Sequence, residues 1–557
     1  MRTAAKDLTV QDELTHLLGQ DWSASGLCEW PPNLFAISAW LLEASGAYVR
    51  VLSSWPPGNL DLESWQTRVE ESARALLDNA LVVQFGYDRP PSDLTHINSL
   101  WQTVLQKMHV SLSRLADDLD ASAALVELVA IADVASVGLG VPPIPESGHG
   151  SEFPKLFERA QVLLASHSTL TPGFPKHRLF VLPKQHTPQS GITLRSLTHN
   201  LALFTGGEVQ PIWSVQELQR GDQLNILVVP WPLTVKPSQF SPATTPSSDH
   251  VEGFQCFNYQ VRGADELLQR SGAPSGFAFK NWLNELFSTA QDLVGGIQGI
   301  VFPESSLRPE DFRVVNEIAE QFGAFVIAGV AGFGDGPEQS NEIWMTFGHG
   351  EGRLDRIIRQ GKHHRWRLSR EQLEMYGLGG CLDPRSKWWE NISVKIRDVN
   401  FVSLHAHMTV CGLVCEDLAR QDPVSNLVRS VGPNLVIALL ADGPQLSNRW
   451  PARYATVLAD DPGSSVLTVT NYGLTQLSEP PPGKQKSNAV ILWKDVHGGL
   501  REINLEPGSS AVTLSLWTRC SEEWSADGRS DGGVGAYPAL GGVHQVRLRT
   551  GMTLREG

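Results

Sequence analysis

A cysteine at the end of an apolar stretch has the surroundings in this chain that best suit covalent chemistry. Residues 410–418 read Val-Cys-Gly-Leu-Val-Cys-Glu-Asp-Leu, so a strand-like run stops at Cys415 and two acids follow. Such a cysteine projects its sulfur into the cleft where reactive groups of α/β folds gather. Glu304 ends another apolar run, and Lys362 lies between the two in the chain. A carboxylate, an ammonium and a thiol brought together would supply a general base, an oxyanion stabiliser and a nucleophile.

Other chemical signatures are missing from the sequence or weak. We find no Walker loop, no Gly-x-Gly-x-x-Gly after a strand, no His-Glu-x-x-His and no Gly-x-Ser-x-Gly elbow. Cys411 and Cys415 are four residues apart without a second pair in reach, so a zinc site is not expected. Taken singly, a glutamate at a strand end, a lone lysine or a buried cysteine is more often structural than catalytic.

Alternating strands and helices must position these groups. Strand-like apolar runs cover residues 179–182, 224–229, 300–302, 325–330, 435–440 and 465–470. Helix-like patterns cover residues 282–293, 309–322, 424–431 and 449–458. This alternation predicts an α/β fold with buried strands. Residues 1 to about 170 differ, because their apolar side chains recur at the three- and four-residue spacing of amphipathic helices.

Composition narrows the class of protein. The chain has 557 residues, 41% of them hydrophobic, so it can bury a sizeable core. Its net charge is -15, which argues against nucleic acid or an anionic membrane as the main partner. Six cysteines are too few for a disulfide scaffold, and the first residues lack the apolar core of a signal peptide. We therefore expect a cytoplasmic protein that binds neither nucleic acid nor membrane.

The charge is unevenly distributed along the chain. The first 150 residues contain 8 Lys and Arg against 19 Asp and Glu, which accounts for most of the net charge. An acidic N-terminal part and a nearly neutral remainder of the chain predict two modules. The acidity suggests a basic protein surface as a partner of residues 1–170, although a merely solvated helical face explains it as well.

The order of the three candidate residues resembles a known family. Lys362 follows Glu304 by 58 residues and Cys415 follows Lys362 by 53, an order similar to the Glu–Lys–Cys triad of the carbon–nitrogen hydrolase (nitrilase) superfamily. The Cys-Glu-Asp run is similar to the glutaminase domain of glutamine-dependent NAD synthetases. Further segments follow the family's order, and they lie at residues 341–345, 362–364, 432–437, 449–455, 469–473 and 487–490.

The resemblance implies a role for each residue. Cys415 would attack an amide or nitrile carbon, and Glu304 would take the thiol proton and pass it to the departing amine. Lys362 and the backbone N–H of Glu416 would stabilise the oxyanion. The family often carries a second active-site glutamate after the lysine, for which Glu371 is the candidate and Glu374 the neighbour that could replace it. No metal or organic cofactor is needed.

The resemblance also implies an architecture. It covers roughly residues 178–518 and predicts an α-β-β-α sandwich of the nitrilase kind, behind an acidic, mainly helical domain at 1–170. Residues 519–557 would form a C-terminal tail. Members of the family commonly pair, so a homo-oligomer, a dimer or larger, is expected. The long stretch between Lys362 and Cys415 predicts an insertion that shapes or covers the pocket.

Three functions remain open at this point. The first is hydrolysis of a non-peptide carbon–nitrogen bond in a small amide or nitrile. The second is acyl transfer on the same fold, but acyl-transferring members usually act at membranes and carry spans that this sequence lacks. The third is a regulatory or effector subunit that binds a partner through residues 1–170. Because all three triad residues are present, the sequence favours the hydrolase.

Overall fold

The computed structural model describes most of the chain. The described residues are 8–20, 24–58, 60–88, 92–141, 153–216, 223–244, 253–264, 278–332, 338–347, 357–394, 397–405, 407–480 and 482–548. Within them the chain is mixed α/β, as the alternation of patterns predicts.

Helices alone form the first part of the described chain, and no strand occurs there before residue 180. These helices are Val10–Leu18, Ala24–Leu27, Pro31–Ser45, Ala47–Val51, Leu62–Phe85, Thr95–Leu105, Leu112–Leu115, Leu119–Val134 and Phe153–His167. The helix Leu119–Val134 is apolar on all sides, and its residues 121–133 are buried, which makes it the central helix of this part. The later helices are Ala278–Val294, Pro309–Gln321, Arg370–Met375, Glu416–Ala419, Asn426–Val431, Trp450–Asp460 and Tyr472–Leu477.

Four sheets make up the rest. Their strands are β1 (Phe180–Pro183), β2 (Leu201–Phe204), β3 (Gln210–Val215), β4 (Gln223–Val228), β5 (Phe240–Pro242), β6 (Gln255–Tyr259), β7 (Gly299–Leu307), β8 (Phe325–Ala331), β9 (Asn341–Thr346), β10 (Ile358–Gly361), β11 (Arg367–Leu368), β12 (Trp388–Glu390), β13 (Asp398–His405), β14 (Met408–Val414), β15 (Leu435–Leu440), β16 (Ser465–Thr470), β17 (Ala489–Lys494), β18 (Arg501–Asn504), β19 (Ala511–Ser521) and β20 (Gly535–Val546). The first large sheet has the order β10-β9-β8-β7-β4-β19-β20, and the second has the order β18-β17-β16-β15-β14-β13-β3. A small sheet has the order β11-β12-β6-β5, and β1 pairs with β2.

The two seven-stranded sheets share one core. Val301 of β7 lies in the same buried cluster as the strands of the second sheet. Its neighbours Ile300 and Phe302 lie instead in a cluster with the helices Ala278–Val294 and Pro309–Gln321. Because successive side chains of a strand point to opposite faces, the first sheet packs on the second sheet with one face and on these helices with the other.

A glycine allows the two sheets to approach each other. A Cβ at Gly412 of β14 would lie 2.9 Å from Cδ1 of Ile343 on β9 and 3.7 Å from the sulfur of Met345. A larger side chain would therefore push the two sheets apart next to the cysteine that ends β14.

The helical part is joined to the sheets through buried polar contacts. Asp133, in the central helix, accepts hydrogen bonds from the backbone N–H groups of His199, Asn200 and Leu201 at 2.8–2.9 Å. The Arg529 guanidinium lies 3.4 Å from the same carboxylate and is buried with it. One buried cluster of apolar side chains also runs from the helices into the second sheet.

The segment predicted as a C-terminal tail contains an ordered strand. Strand β20 pairs with β19 from Ser521↔Gly535 to Ala511↔Val546, and the predicted boundary at residue 518 falls within β19. The loop between these strands carries Arg529, which reaches the helical part.

Among the described residues, no single helix is long and apolar enough to cross a membrane. The helices Pro31–Ser45 and Ala47–Ser54, bent by 80°, meet that length and composition only together.

Candidate active site

Glu304 is held by an irregular segment of β7. The pairing of β7 with β8 shifts between Phe302 and Leu307, and Ser305 has a φ of 50°. A Cβ at Gly329 of β8 would lie 2.4 Å from the Cα of Glu304, so only glycine leaves room for this bulge. The sequence predicts that the strand stops at Glu304, whereas β7 continues to Leu307 through the irregularity. The bulge turns the Glu304 side chain toward the groups described next.

Three donors bind the Glu304 carboxylate. Its Oε1 accepts from Lys362 Nζ at 2.8 Å and from Asn341 Nδ2 at 2.8 Å. Its Oε2 accepts from the backbone N–H of Ala441 at 2.6 Å. Glu304 is 1% exposed, so the carboxylate depends on these bonds in place of water.

Lys362 bridges two glutamates. It follows β10 directly, is 1% exposed, and its backbone N–H donates to Asn341 O at 2.9 Å. Its Nζ lies 2.8 Å from Glu304 Oε1 and 2.6 Å from Glu390 Oε2. The structure therefore brings together Glu304 and Lys362, as the sequence predicts, and adds a second carboxylate.

Glu390, at the end of β12, is the functional candidate that sequence reasoning missed. Besides Lys362, it accepts from Asn341 Nδ2 at 2.8 Å and from the backbone N–H of Trp366 at 3.0 Å. Asn341 thus donates to both glutamates, and its own Oδ1 has no hydrogen-bond partner in the described structure. The signal in the sequence was a glutamate that follows the apolar pair Trp388 and Trp389.

The position of Glu371 corrects the prediction of a supporting role for it. Glu371 lies in the first turn of the helix Arg370–Met375 and is exposed, as is Glu374, which pairs with Arg370 at 2.9 Å. Ser369 caps this helix and lowers the pKa of Glu371 through a side-chain hydrogen bond. A helix start favours an acid at Glu371, and Glu374 pairs with Arg370 one turn earlier, so both residues are explained without catalysis.

Cys415 occupies a strained turn at the end of β14. Its φ and ψ are 45° and -106°, in a region that costs a non-glycine residue about 1–3 kcal/mol. Its backbone N–H donates to Leu439 O at 2.9 Å, and Ala441, two residues further on, donates to Glu304. Cys415 is therefore bonded to Leu439 and Glu304 to Ala441, two positions roughly 7 Å apart at the end of β15.

Asp417 joins the lysine segment to the cysteine turn. Its carboxylate accepts from the backbone N–H of His363 at 3.1 Å and from His364 Nδ1 at 2.9 Å. Asp417 follows Cys415 by two residues, and His363 follows Lys362 directly. This buried contact fixes the lysine and the cysteine relative to each other.

Burial and charge set the protonation states of the site. Burial raises the pKa of the Cys415 thiol well above its usual value, Glu304 adds to this rise, and Lys362 opposes it. Burial also raises the pKa of Glu304, against the attraction of Lys362. For Lys362, burial would lower the pKa, but Glu304, Glu390 and Cys415 outweigh it and hold the pKa well above its usual value. The site thus contains a fixed ammonium and a neutral thiol that needs a base.

A second buried network lies beside the cysteine. Asp442 accepts from the Tyr376 hydroxyl at 2.8 Å, from Arg449 Nη2 at 2.8 Å and from Trp450 Nε1 at 3.1 Å. Its charge also raises the pKa of Cys415. Arg449 supplies this carboxylate with a partner of opposite charge.

Glu416 begins the short helix Glu416–Ala419 directly after the cysteine. Its carboxylate pairs with Arg420 at 2.7 Å and its side chain is 20% exposed. Its charge adds to the rise in the pKa of the Cys415 thiol. Only its backbone N–H remains as the predicted contribution to an oxyanion site. Among the described residues, no group of three or more His, Cys, Asp or Glu side chains could hold a metal ion.

Comparisons with known proteins give a weak structural likeness. No family model and no curated protein matches the chain. A mutant of the Nesterenkonia AN1 amidase, which is from the nitrilase superfamily, is 13% identical over 54% of this chain and 91% of that chain, with a TM-score of 0.32. An amidase from Nesterenkonia sp. is 12% identical over 54% of this chain and 92% of that one, also with a TM-score of 0.32. Since these TM-scores lie below 0.5, the activity of this chain is inferred from its own site.

Proposed function

We propose that this chain is a carbon–nitrogen hydrolase of the nitrilase superfamily. In this proposal the two seven-stranded sheets and their outer helices are the α-β-β-α sandwich of that superfamily. The substrate is a small amide or nitrile, and the reaction passes through a thioester on Cys415. The observation that supports the proposal most is the buried Lys362, which lies between Glu304 and Glu390 and whose charge opposes the rise in the pKa of the Cys415 thiol.

Acylation uses the carboxylate and the thiol together. Glu304 takes the proton of the Cys415 thiol while the sulfur forms a bond to the substrate carbon. The raised pKa of the thiol requires this base, because the thiol does not ionise by itself near neutral pH. Lys362 and the Glu416 backbone N–H bind the oxygen that gains negative charge. The carbon–nitrogen bond of an amide then breaks, and Glu304 returns its proton to the departing amine.

Deacylation reverses the proton transfers with water. Glu304 takes a proton from water as the hydroxide oxygen bonds to the thioester carbon. The carbon–sulfur bond then breaks, the acid leaves, and Cys415 recovers its proton. Glu390 and Asn341 do not contact the sulfur in this scheme, but they hold Lys362 and Glu304 in place.

Ammonia release from a panel of primary amides and nitriles tests this function. The wild-type chain is expected to release ammonia from at least one member, and Cys415→Ala is expected to lose this activity. Cys520→Ala is the matched control, because Cys520 is an exposed free cysteine on β19. No ammonia from any member, or release by Cys415→Ala at the wild-type rate, would contradict the proposal.

A further inference from the structure

A buried glutamine lies on β10, two residues before Lys362. Gln360 pairs with Ile343 of β9, and paired residues of neighbouring strands point to the same face of a sheet. That face is turned toward the second sheet, because the Ile343 side chain lies against Gly412 of β14. Gln360 is 1% exposed, so its amide depends on partners within the protein.

The Gln360 amide enters the second sheet where two of its strands separate. Among the described residues the pairing of β13 with β14 ends at Phe401↔Cys411, and the next pair would join Asn400 to Gly412. The Gln360 side chain takes the place of that pair. Its Nε2 donates to Gly412 O at 2.8 Å, and its Oε1 accepts from the Asn400 N–H at 2.8 Å and from Asn400 Nδ2 at 3.2 Å. One side chain of the first sheet is thereby bonded to both strands of the second.

These bonds connect the strands that carry the lysine and the cysteine of the site. Lys362 directly follows β10 of the first sheet, and Cys415 directly follows β14 of the second. Apolar packing between two sheets has no preferred direction, whereas a hydrogen bond fixes both distance and direction. Gln360 precedes Lys362 by two residues, and Gly412 precedes Cys415 by three. The bond between Gln360 and Gly412 therefore sets how the two reactive segments lie relative to each other.

Asp417 supplies the second connection between these segments. Its carboxylate accepts from the backbone N–H of His363 at 3.1 Å, one residue after Lys362 and two residues after Cys415. Lys362 thus lies between two connections to the second sheet. When the connection through Gln360 is lost, the lysine segment can pivot about the one that remains.

We propose that Gln360 is a positioning residue that sets the distance between the Lys362 ammonium and the Cys415 sulfur. This inference rests on the proposed hydrolase function, in which Lys362 binds the oxygen that gains negative charge. Without Gln360 the lysine moves with the first sheet, whereas the bond of Glu304 to the Ala441 N–H holds that carboxylate at the second. The thiol then loses part of the positive charge that opposes its raised pKa and keeps the negative charge that raises it.

The variant Gln360→Met tests the inference, since methionine is similar to glutamine in length but bonds to neither strand. With an amide that the wild type hydrolyses, kcat is expected to fall about tenfold, the effect of one neutral hydrogen bond, while KM changes little. The second readout is the rate at which iodoacetamide alkylates Cys415, followed against pH by peptide mass spectrometry. A rise of about one unit in the thiol pKa lowers this rate about tenfold near neutral pH and leaves the rate at the alkaline plateau unchanged.

Gln298→Met is the matched control. Its Oε1 accepts from the Asn225 N–H at 2.8 Å, directly before the start of β7 and thus at the end of that strand remote from Glu304. Both readouts are expected to stay those of the wild type, and the exposed Cys520 serves as an internal reference for alkylation. Gln360→Asn is the second variant, because its amide is one methylene shorter and cannot bond to both strands; it is expected to give the same pattern. Thermal unfolding shows which variants are folded.

The outcomes separate the two proposals. Folded Gln360→Met with the kcat and the alkylation rate of the wild type would overturn the positioning role alone. An equal loss of alkylation at every pH would also overturn it, because that pattern reports a distorted site, and so would failure of both Gln360 variants to fold beside a folded control. No ammonia from any amide or nitrile with the wild type would overturn the hydrolase function, and the alkylation profile then decides the role of Gln360 by itself. No alkylation of Cys415 in the wild type at any pH would overturn both.

Discussion

Replacing Glu390 by glutamine tests the site residue that was not predicted from the sequence. Glutamine keeps the size of the side chain but turns one acceptor oxygen into an NH2 group. If the remaining oxygen stays on Lys362 and the Trp366 N–H, the new NH2 group faces Asn341 Nδ2, donor against donor. Asn341 avoids this repulsion when its amide turns so that its unpartnered Oδ1 accepts from the new NH2 group. Its Nδ2 then no longer donates to Glu304.

The magnitude follows from the bonds that weaken. The Lys362 bond loses a charged acceptor, and Glu304 loses one of its three donors. A hydrogen bond to a charged group is worth about 1.5–3 kcal/mol, so the lower value for both gives about 3 kcal/mol. Since 1.36 kcal/mol corresponds to a factor of ten in rate, Glu390→Gln is expected to lower kcat about 100-fold.

The assay is ammonia release under saturating amide, with Glu371→Gln as the matched control. Glu371 is exposed and contacts Ser369, so its variant is expected to keep wild-type turnover. Far-ultraviolet circular dichroism checks that both variants are folded. A Glu390→Gln enzyme within threefold of wild type, or a loss caused by Glu371→Gln instead, would refute the assignment of Glu390.

Three further predictions concern the charge of Lys362, the protonation of Asp311 and the buried contact between Asp133 and Arg529. Lys362→Met removes the cation between two buried carboxylates and is expected to lower kcat about 1000-fold. Lys280→Met, which removes a cation paired with Glu317, is the control and is expected to leave kcat unchanged. Near wild-type turnover of Lys362→Met would show that the role assigned to Lys362 is wrong. Burial raises the pKa of Asp311 to about 6, so its protonated form stabilises the fold at low pH and this contribution is lost as pH rises through 6. Relative to Asp311→Asn, the wild type should lose up to about 3 kcal/mol of unfolding free energy between pH 4 and 7, and parallel pH curves in urea titrations would refute this. Asp133→Ala leaves Arg529 without one of its buried partners and should lower the unfolding free energy by about 3–5 kcal/mol in a single transition, whereas an unchanged denaturation midpoint would contradict the joint role of this contact.

Local pattern was enough to predict the regular elements around the site. Strands Leu435–Leu440 and Ser465–Thr470 begin and end where the apolar runs do, and the helix Pro309–Gln321 differs from its prediction by one residue. These segments are continuous, buried and bounded by polar residues or proline. The residues that precede and follow each position in the chain are therefore enough to predict its secondary structure. Glu304 and Lys362, which the structure places in contact, were identified instead from their order in the chain and its resemblance to a known family.

Contacts between distant segments could not be read from the sequence. Glu390 reaches Lys362 because β12 pairs with β6, more than 130 residues earlier in the chain. Distance along the chain favoured Glu371, but a serine cap places that residue at an exposed helix start. A side chain supplied by the small sheet could therefore not be identified from the order of residues in the sequence.

Intact-mass spectrometry of the acyl-enzyme tests the central claim most directly. Wild type and Cys415→Ala would each be incubated with a pool of amides and nitriles, quenched in acid and weighed, with ammonia measured in parallel. An added acyl mass is expected on the wild type alone, located by digestion at Cys415. The same adduct on Cys415→Ala, or ammonia released by that variant at the wild-type rate, would contradict it.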